Sequence, residues 1–105
     1  MTVYVDELRD YDPEQIKEPA QRYGRRWCHL NADTEVELHE FAARLGLRRS
    51  WYQPGNQKDG FNWYLSHYDV TERKRALAVR LGAVEVHSRD QAKRFLAERE
   101  AQHGV

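Results

Sequence analysis

Residues 26–46, RWCHLNADTEVELHEFAARLG, decide the fold, because they join a strand pattern directly to a helix pattern. The first six residues, 26–31, are typical of a β-strand. From Thr34 onward, apolar residues recur at helical spacing, and Gly46 fits the left-handed position that ends a helix. Thr34 with Glu37 three residues later fits a capping box, and Asp33 is an equally good cap. This stretch therefore predicts a strand that leads into a helix.

Strand and helix patterns continue on both sides of this unit. Further strands are predicted at 2–6, 47–53 and 83–87, further helices at 71–81 and 88–100, and loops at 7–24 and 54–62. Short connections between alternating strands and helices are typical of α/β proteins. We therefore expect one domain over residues 1–105, with a mixed or mostly parallel sheet of about four strands and about three helices packed on it.

Composition narrows the functional classes. The chain has 17 basic and 17 acidic side chains, so it lacks the basic excess of a dedicated nucleic-acid or membrane binder, although a local basic patch remains compatible with this balance. It has neither an apolar run near the roughly 20 residues of a membrane helix nor a signal-peptide pattern at its start. A single cysteine, Cys28, cannot form an internal disulfide. We expect a cytoplasmic protein without a membrane partner.

The segment around His67 carries the most informative polar pattern. His67 and Asp69 are two residues apart, so in an extended segment they face the same side and can converge on a metal, a water or a phosphate. Lys74 and Arg75 follow in the first turn of a predicted helix, where cations are unfavourable unless an anion binds nearby. The alternative is that Asp69 and Glu72 neutralise them on a solvated face.

A second group of possible ligands lies in the strand–helix unit. His29 is in the strand, Asp33 follows its end, and His39 is in the helix. Imidazole and carboxylate groups are suitable ligands for zinc or another divalent metal, so Asp33 and His39 are candidate metal ligands. Their spacing matches no standard metal motif, and a structural role for His39 is the alternative.

The end of the first predicted strand supplies two more candidates, Asp6 and Arg9. In a parallel sheet Asp6 would lie at the same edge as Asp33 and Asp69, where α/β proteins build their sites. Its alternative role is to cap the segment that follows. Strand alternation places Cys28 on the face opposite that of His29, which predicts a buried, inert thiol.

Arginines next to aromatic residues suggest a competing interpretation, a platform for single-stranded nucleic acid. The residues concerned are Arg22, Tyr23, Arg25, Arg26 and Trp27, and Arg44, Arg48, Arg49, Trp51 and Tyr52. The alternative is that the aromatic rings belong to the core and the arginines keep an edge strand soluble. Trp63 and Tyr64, next to a predicted loop, fit a binding lid or a contact in a homodimer.

Several of these segments together resemble the domain-of-unknown-function 4031 family, small proteins of bacteria and their phages. The matching segments are Val3-Tyr4-Val5-Asp6 with Arg9, Cys28-His29, Ala32-Asp33-Thr34, Glu37-Leu38-His39, Arg48-Arg49 with Trp51 and Gln53, His67-Tyr68-Asp69, Lys74-Arg75-Ala76-Leu77-Ala78-Val79 and Leu81-Gly82-Ala83-Val84. The resemblance implies no activity. It implies one recurrent pattern that contains His29, Asp33, His39, His67, Asp69, Lys74 and Arg75.

We expect a phosphate-bearing ligand, a nucleotide or another phosphoester, to bind where strands end, and hydrolysis is the reaction to test. In this hypothesis His67, Asp69, His29 and Asp33 are catalytic, Lys74, Arg75, Asp6 and Arg9 bind the ligand, and a divalent metal is a possible cofactor. The alternative is a non-catalytic module that binds protein or single-stranded nucleic acid. Convergence of these polar groups in one concave pocket would favour the enzyme, and their scatter over the molecule would favour the module.

Overall fold

Five strands and three helices make up the fold in a computed structural model, which describes residues 2–16, 24–55 and 60–103. The strands are β1 (Val3–Val5), β2 (Arg9–Asp10), β3 (Arg26–Ala32), β4 (Tyr68–Thr71) and β5 (Val84–Glu85). The helices are α1 (Glu35–Arg44), α2 (Glu72–Arg80) and α3 (Ser88–His103). The predicted α/β class is confirmed. None of the helices in these ranges has the length and apolar character that crossing a bilayer requires.

The longest strand, β3, organises the sheet. It pairs antiparallel with β1 and β2 along one edge and with β4 along the other, and β5 adds to β1 in parallel. The sequence predicts a mixed or mostly parallel sheet, and the sheet is mixed. Within the described residues, β1 and β5 form its parallel pair and the other pairs are antiparallel. Because β1, β3 and β4 lie side by side, short segments that are distant in sequence share one surface.

Alternation along β3 separates the hydrophobic core from the polar surface. Cys28, Leu30 and Ala32 are almost completely buried against α1 and α2. Burial raises the pKa of the Cys28 thiol to about 12, so this cysteine is the inert group that the sequence predicts. Trp27, His29 and Asn31 occupy the alternate positions, so they face away from this core.

The third helix, α3, lies on the polar face of the sheet and is held there largely by polar and aromatic contacts. The Arg94 guanidinium donates to Asp33 at 3.1 Å and to the Tyr4 hydroxyl at 2.9 Å. It also lies 3.9 Å from the centre of the Trp63 ring, and the Trp63 indole donates to Glu98 at 2.7 Å. Trp63 is thus packed beneath α3.

A threonine caps each of the two helices that follow a strand; of the two candidates that the sequence offers for α1, Thr34 and Asp33, the cap is Thr34. Thr34 accepts a hydrogen bond from the Glu37 amide at 3.3 Å, and Thr71 accepts one from the Lys74 amide at 3.2 Å. Gly46, with a φ of 79°, supplies the left-handed turn after α1. These local interactions explain why the helices begin and end where the pattern predicts.

The predicted strand over 47–53 is wrong. Residues Arg49–Trp51 form a 3-10 turn in which the Trp51 and Tyr52 amides donate back to Arg48 and Arg49, so they do not enter a ladder. Gln53 alone of this segment reaches the sheet, in a single bridge to His67. The predicted loop over 7–24 contains β2 and a 3-10 turn at Pro13–Gln15. Positions 17–23 of this loop and positions 56–59 of the predicted loop over 54–62 lie outside the described residues.

Candidate metal centre

Strand register brings together three polar side chains that the sequence separates widely. The Asp6 amide donates to the His29 carbonyl at 3.2 Å, directly after β1, and His29 pairs with Asp69 across β3 and β4. Asp6, His29 and Asp69 therefore form one row across three neighbouring strands. His67, two residues before Asp69, lies on the same side of β4 and completes the cluster.

Asp6 fixes the orientation of the His29 ring. The Asp6 carboxylate is 2% exposed and accepts from the His29 backbone amide at 2.6 Å. Its other oxygen lies 2.8 Å from His29 Nδ1. Two lone pairs would repel at that distance, so Nδ1 carries the proton and donates, although an Arg9 nitrogen lies 3.2 Å from the same atom. The Nε2 atom of His29 is left as the acceptor.

His67 is oriented in the same way by a different partner. Its Nδ1 lies 3.0 Å from the Leu65 carbonyl oxygen, which only accepts, so Nδ1 again carries a proton. The Asp69 carboxylate is held by the side-chain amide of Gln53, which donates to its Oδ2. Each of the three groups thus has an outer partner that fixes its position.

The ring Nε2 atoms of both histidines and one carboxylate oxygen of Asp69 lie close together. Asp69 Oδ1 lies 3.4 Å from His67 Nε2 and 3.9 Å from His29 Nε2, and one ligand atom from each residue lies within 4.8 Å of the others. Ligand atoms in a tetrahedral site with bonds near 2.0–2.1 Å are separated by about 3.4 Å. The cluster therefore has the composition and nearly the spacing of a two-histidine, one-carboxylate site for a divalent metal.

The pKa values of His67 and Asp69 reflect this proximity. Burial disfavours both charged forms, yet hydrogen bonding to Asp69 and its charge raise the pKa of His67 above the usual value. Hydrogen bonds from His67 and Gln53 lower the pKa of Asp69 in spite of burial. The pair therefore favours an imidazolium next to a carboxylate, and a metal ion would take the place of the proton on His67.

A cavity of about 240 Å³ opens next to the cluster. It is lined by Asp6, Arg9, His29, Asn31, Tyr64, Leu65, His67, Ser88 and Gln91. The Arg9 guanidinium lies 3.3 Å from Asp6 and from Glu7. Asp69, next to His29 and His67, adds a third carboxylate to this end of the molecule, against the charge of Arg9 and of the imidazolium that His67 favours. The charge at this end of the cavity suits a divalent cation.

Asp33 and His39 lie away from this cavity. Asp33 follows the other end of β3, four residues from His29 or about 13 Å along an extended strand. There it accepts from Tyr4, Thr2 and Arg94, and although burial opposes this, those hydrogen bonds lower its pKa. The common edge expected for Asp33 and Asp69 is wrong, because β3 and β4 are antiparallel.

His39 also has a structural environment. Its Nδ1 lies 2.8 Å from the hydroxyl of Tyr68, a core residue that is 1% exposed, and its ring packs edge-on against Tyr52. Because Tyr68 and Asp69 alternate along β4, this histidine lies on the opposite face of the sheet from the cluster. The structure therefore does not bring His39 together with the other candidate ligands.

Lys74 and Arg75 belong to α2, which packs on the core face. Lys74 Nζ donates to the Leu45 carbonyl at the end of α1. Arg75 donates to the Asp6 carbonyl at 2.8 Å and pairs with Glu85 at 2.9 Å. Neither residue lines the cavity. Of the four predicted ligand-binding residues, Asp6 and Arg9 line it, and Arg9 is the cation among them.

The arginine–aromatic segments form two separate groups. Arg25 and Arg26 make ion pairs with Asp12, Asp10 and Glu72, whereas Arg48 and Arg49 lie over the rings of Trp51 and Tyr52. Arg22 and Tyr23 lie outside the described residues. The groups that can be placed make contacts within the protein and do not line the cavity.

Two residues of the site environment, Gln53 and Glu7, are missed by sequence reasoning. Gln53 reaches Asp69 through an isolated bridge, for which the local sequence holds no periodic signal. Glu7 accepts from the Ser88 amide at 2.8 Å and from the Ser88 hydroxyl at 2.5 Å, so it caps the start of α3 from the far end of the chain. Both contacts depend on tertiary register.

The hydrogen bonds between Glu7 and Ser88 predict that the free energy of unfolding depends on pH in the acid range. Burial opposes ionisation, but the Ser88 hydrogen bonds and Arg9 lower the pKa of Glu7 from 4.5 to about 2. Its stabilising contribution is therefore complete above about pH 4.5 and is lost as the pH falls towards 2. We expect Glu7→Gln to reduce the free energy of unfolding by about 1 kcal/mol at pH 7 and by progressively less below pH 4.5.

Urea unfolding at pH 7, 4 and 2.5 measures this difference. The matched control is Glu40→Gln, which changes an exposed carboxylate on α1 and should leave the pH profile unchanged. A Glu7→Gln variant that loses the same free energy at all three pH values would contradict the assignment.

The fold and the cavity define a small α/β protein with a two-histidine, one-carboxylate cluster on the polar face of its sheet. The chain belongs to the family described as Protein of unknown function (DUF4031), which it matches over residues 3–98. This confirms the resemblance noted in the sequence. No curated protein and no solved structure shows significant similarity to the chain.

Proposed function

We propose that the protein is a divalent-metal-dependent hydrolase that acts on a phosphate-bearing ligand. The observation that carries this proposal is the convergence of His29 Nε2, His67 Nε2 and Asp69 Oδ1 next to a cavity that both histidines line. Each group is already oriented by an outer partner, as metal ligands in proteins usually are. Chance contacts between exposed polar side chains do not have this second layer of hydrogen bonds.

Charge supports a metal at this place. Without a cation, the Asp6, Glu7 and Asp69 carboxylates outweigh Arg9 and the imidazolium that His67 favours, and this excess of negative charge repels a phosphate. A divalent ion that replaces the proton on His67 neutralises the two negative charges that then remain, so an anion is no longer repelled. When bound, such an ion polarises a phosphoryl oxygen and lowers the pKa of a coordinated water.

The protein's own residues then have separate tasks. His29, His67 and Asp69 hold the ion, and Asp6 keeps the His29 ring in the tautomer that can bind it. The Arg9 guanidinium lies next to the cluster and supplies donors for phosphate oxygens. Without a metal, His29 and His67 are also positioned as an acid–base pair, but the charge balance favours the cation.

The alternative, a non-catalytic interaction module, assigns the histidines and aspartates to capping and packing. Asp33 and His39 fit that description, because Asp33 accepts from Tyr4 at the end of β3 and His39 joins α1 to β4 through the Tyr68 hydroxyl. His29, His67 and Asp69 do not, since both Nε2 atoms lie within 3.9 Å of the same Asp69 oxygen and both histidines line the cavity. We therefore favour the enzyme over the module.

Metal titration tests the proposal. Protein freed of metal with a chelator should bind one Zn²⁺ or Mn²⁺ per chain in isothermal titration calorimetry. The loaded protein should hydrolyse bis(4-nitrophenyl) phosphate, and the chelator should abolish that activity. Absence of a stoichiometric metal site would refute the proposal. A bound metal without hydrolysis of this ester or of a nucleotide would limit it to ligand binding.

We propose the cytoplasm of a bacterium or phage-infected cell as the place of action. The support is the single, deeply buried Cys28 thiol, which suits a reducing compartment, and the family resemblance.

A further inference from the structure

The inner part of the cavity holds two buried amide side chains. Asn31 is 3% exposed and Gln91 is 8% exposed, and both line the cavity. The Asn31 amide nitrogen donates to the Trp63 carbonyl at 3.1 Å, and its oxygen accepts from the Gln91 amide nitrogen at 3.1 Å. This chain of two hydrogen bonds fixes which end of each amide is nitrogen and which is oxygen.

The chain leaves hydrogen-bonding capacity on Gln91. A primary amide has two N–H donors and one carbonyl acceptor, and Asn31 uses one of the donors. Within the described residues, the Gln91 side chain forms no other hydrogen bond. It therefore keeps one N–H donor and its carbonyl acceptor for a further partner, on a side chain that lines the cavity.

An aromatic ring lies on the same cavity. Tyr64 is stacked on Phe95 with a centroid distance of 4.6 Å and an interplanar angle of 15°, which holds the ring firmly. Leu65 adds an apolar surface. Phe95 covers one face of this ring, so a ligand would use the other face. A fixed ring and an amide with a donor and an acceptor to spare, in one cavity, suit a flat heterocycle, since the ring can stack on it and the amide can recognise an edge.

The size of the cavity restricts the ligand further. Its volume of about 240 Å³ is below the roughly 300 Å³ at which pockets for drug-sized ligands begin. It therefore suits one ring system with a neighbouring phosphate better than an extended ligand.

We propose that this cavity recognises a nucleobase, so that the ligand is a mononucleotide. The inference rests on the metal-dependent function proposed above for the phosphate end. The base lies along Tyr64 and Leu65, with one edge against the Gln91 amide, and the phosphate extends towards Arg9 and the His29–His67–Asp69 cluster. An amide pairs its donor and acceptor with N7 and the amino group of adenine, so adenine is the base to test first.

Binding of adenosine 5′-monophosphate and of ribose 5-phosphate to the Zn²⁺-loaded protein tests the proposal. We expect the nucleotide to bind at least about 10-fold more tightly, because the sugar phosphate has no edge for the amide. Gln91→Met should remove most of that preference and leave the affinity for ribose 5-phosphate unchanged. The matched control is Gln102→Met, an exposed position on the same helix, which should keep the preference.

Two further measurements separate the possible failures. Adenosine without phosphate should bind the metal-free protein, and Tyr64→Leu should weaken that binding, so base recognition is testable even if Gln91→Met does not fold. Equal affinities for nucleotide and sugar phosphate, or no binding of adenosine, would overturn nucleobase recognition alone. Failure of Zn²⁺ to bind, with adenosine still bound, would overturn the metal-dependent function and leave base recognition standing.

Discussion

Replacement of His67 by alanine is expected to abolish specific metal binding. His67 Nε2 lies 3.4 Å from Asp69 Oδ1 and supplies one of the three proposed ligands. Loss of an outer partner of a metal ligand already costs about 10–100-fold in affinity, so loss of a ligand should exceed the upper end of that range. Isothermal titration calorimetry with Zn²⁺ measures the change, and hydrolysis of the phosphodiester should fall with it.

A second histidine provides the matched control for this variant. His39 was a candidate ligand, but its ring contacts Tyr68 and Tyr52 on the other face of the sheet. His39→Gln should therefore lower stability without changing the Zn²⁺ affinity. Retention of full affinity in His67→Ala, or a comparable loss in His39→Gln, would show that the metal binds elsewhere or not specifically.

The second large effect is expected from Asp6→Asn. The Asp6 carboxylate is buried and accepts from the His29 amide, from His29 Nδ1 and from Arg9. An amide at this position cannot satisfy all three donors, and its own N–H groups add donors to a site that needs acceptors. We expect Zn²⁺ affinity to fall about 10–100-fold, because the His29 ring loses its orientation. The free energy of unfolding should fall by about 2 kcal/mol.

Asp33→Asn separates the two consequences. Asp33 also accepts from a tyrosine, a backbone amide and an arginine, so its replacement should destabilise the fold to a similar extent. It lies at the far end of β3, however, and its replacement should leave Zn²⁺ affinity unchanged. If Asp6→Asn binds Zn²⁺ as the unmodified protein does, Asp6 is a stabilising residue only and not a positioning residue for the metal.

Local structure was largely predictable from the sequence. The spacing of apolar residues, the Thr34 cap and Gly46 describe interactions within one or two helical turns, and the structure has them where they were expected. The segment 47–53 shows the limit of such reasoning. Its aromatic and apolar residues are typical of a strand. In the structure, however, backbone amides of this segment donate within a 3-10 turn, and a single bridge joins the segment to the sheet.

The cluster was predictable in part. His67 and Asp69 are two apart on one strand, so their shared side follows from alternation alone. Their meeting with His29 and Asp6 depends on which strands pair, in which direction and in which register, and the sequence holds no direct record of these. The expectation of a common strand edge combined Asp6, Asp33 and Asp69, whereas antiparallel pairing keeps Asp6 with Asp69 and places Asp33 at the other end of β3.

The same limit applies to Lys74 and Arg75. Two adjacent cations in a first helical turn indicate an anion on electrostatic grounds. The structure instead uses both as donors to backbone carbonyls, of Leu45 and of Asp6, that their helix happens to approach. A sequence pattern does not indicate which backbone carbonyl a cation will reach, because every residue has one.

The placement of α3 has a consequence for how this family could diversify. The proposed metal ligands belong to β3, to β4 and to the residue before β4, whereas Gln91 comes from a helix anchored to the sheet by polar and aromatic contacts. The two proposals thus assign metal binding and part of base recognition to different elements. We expect substitutions on the sixteen-residue helix α3 to change the choice of ligand more than they change Zn²⁺ binding.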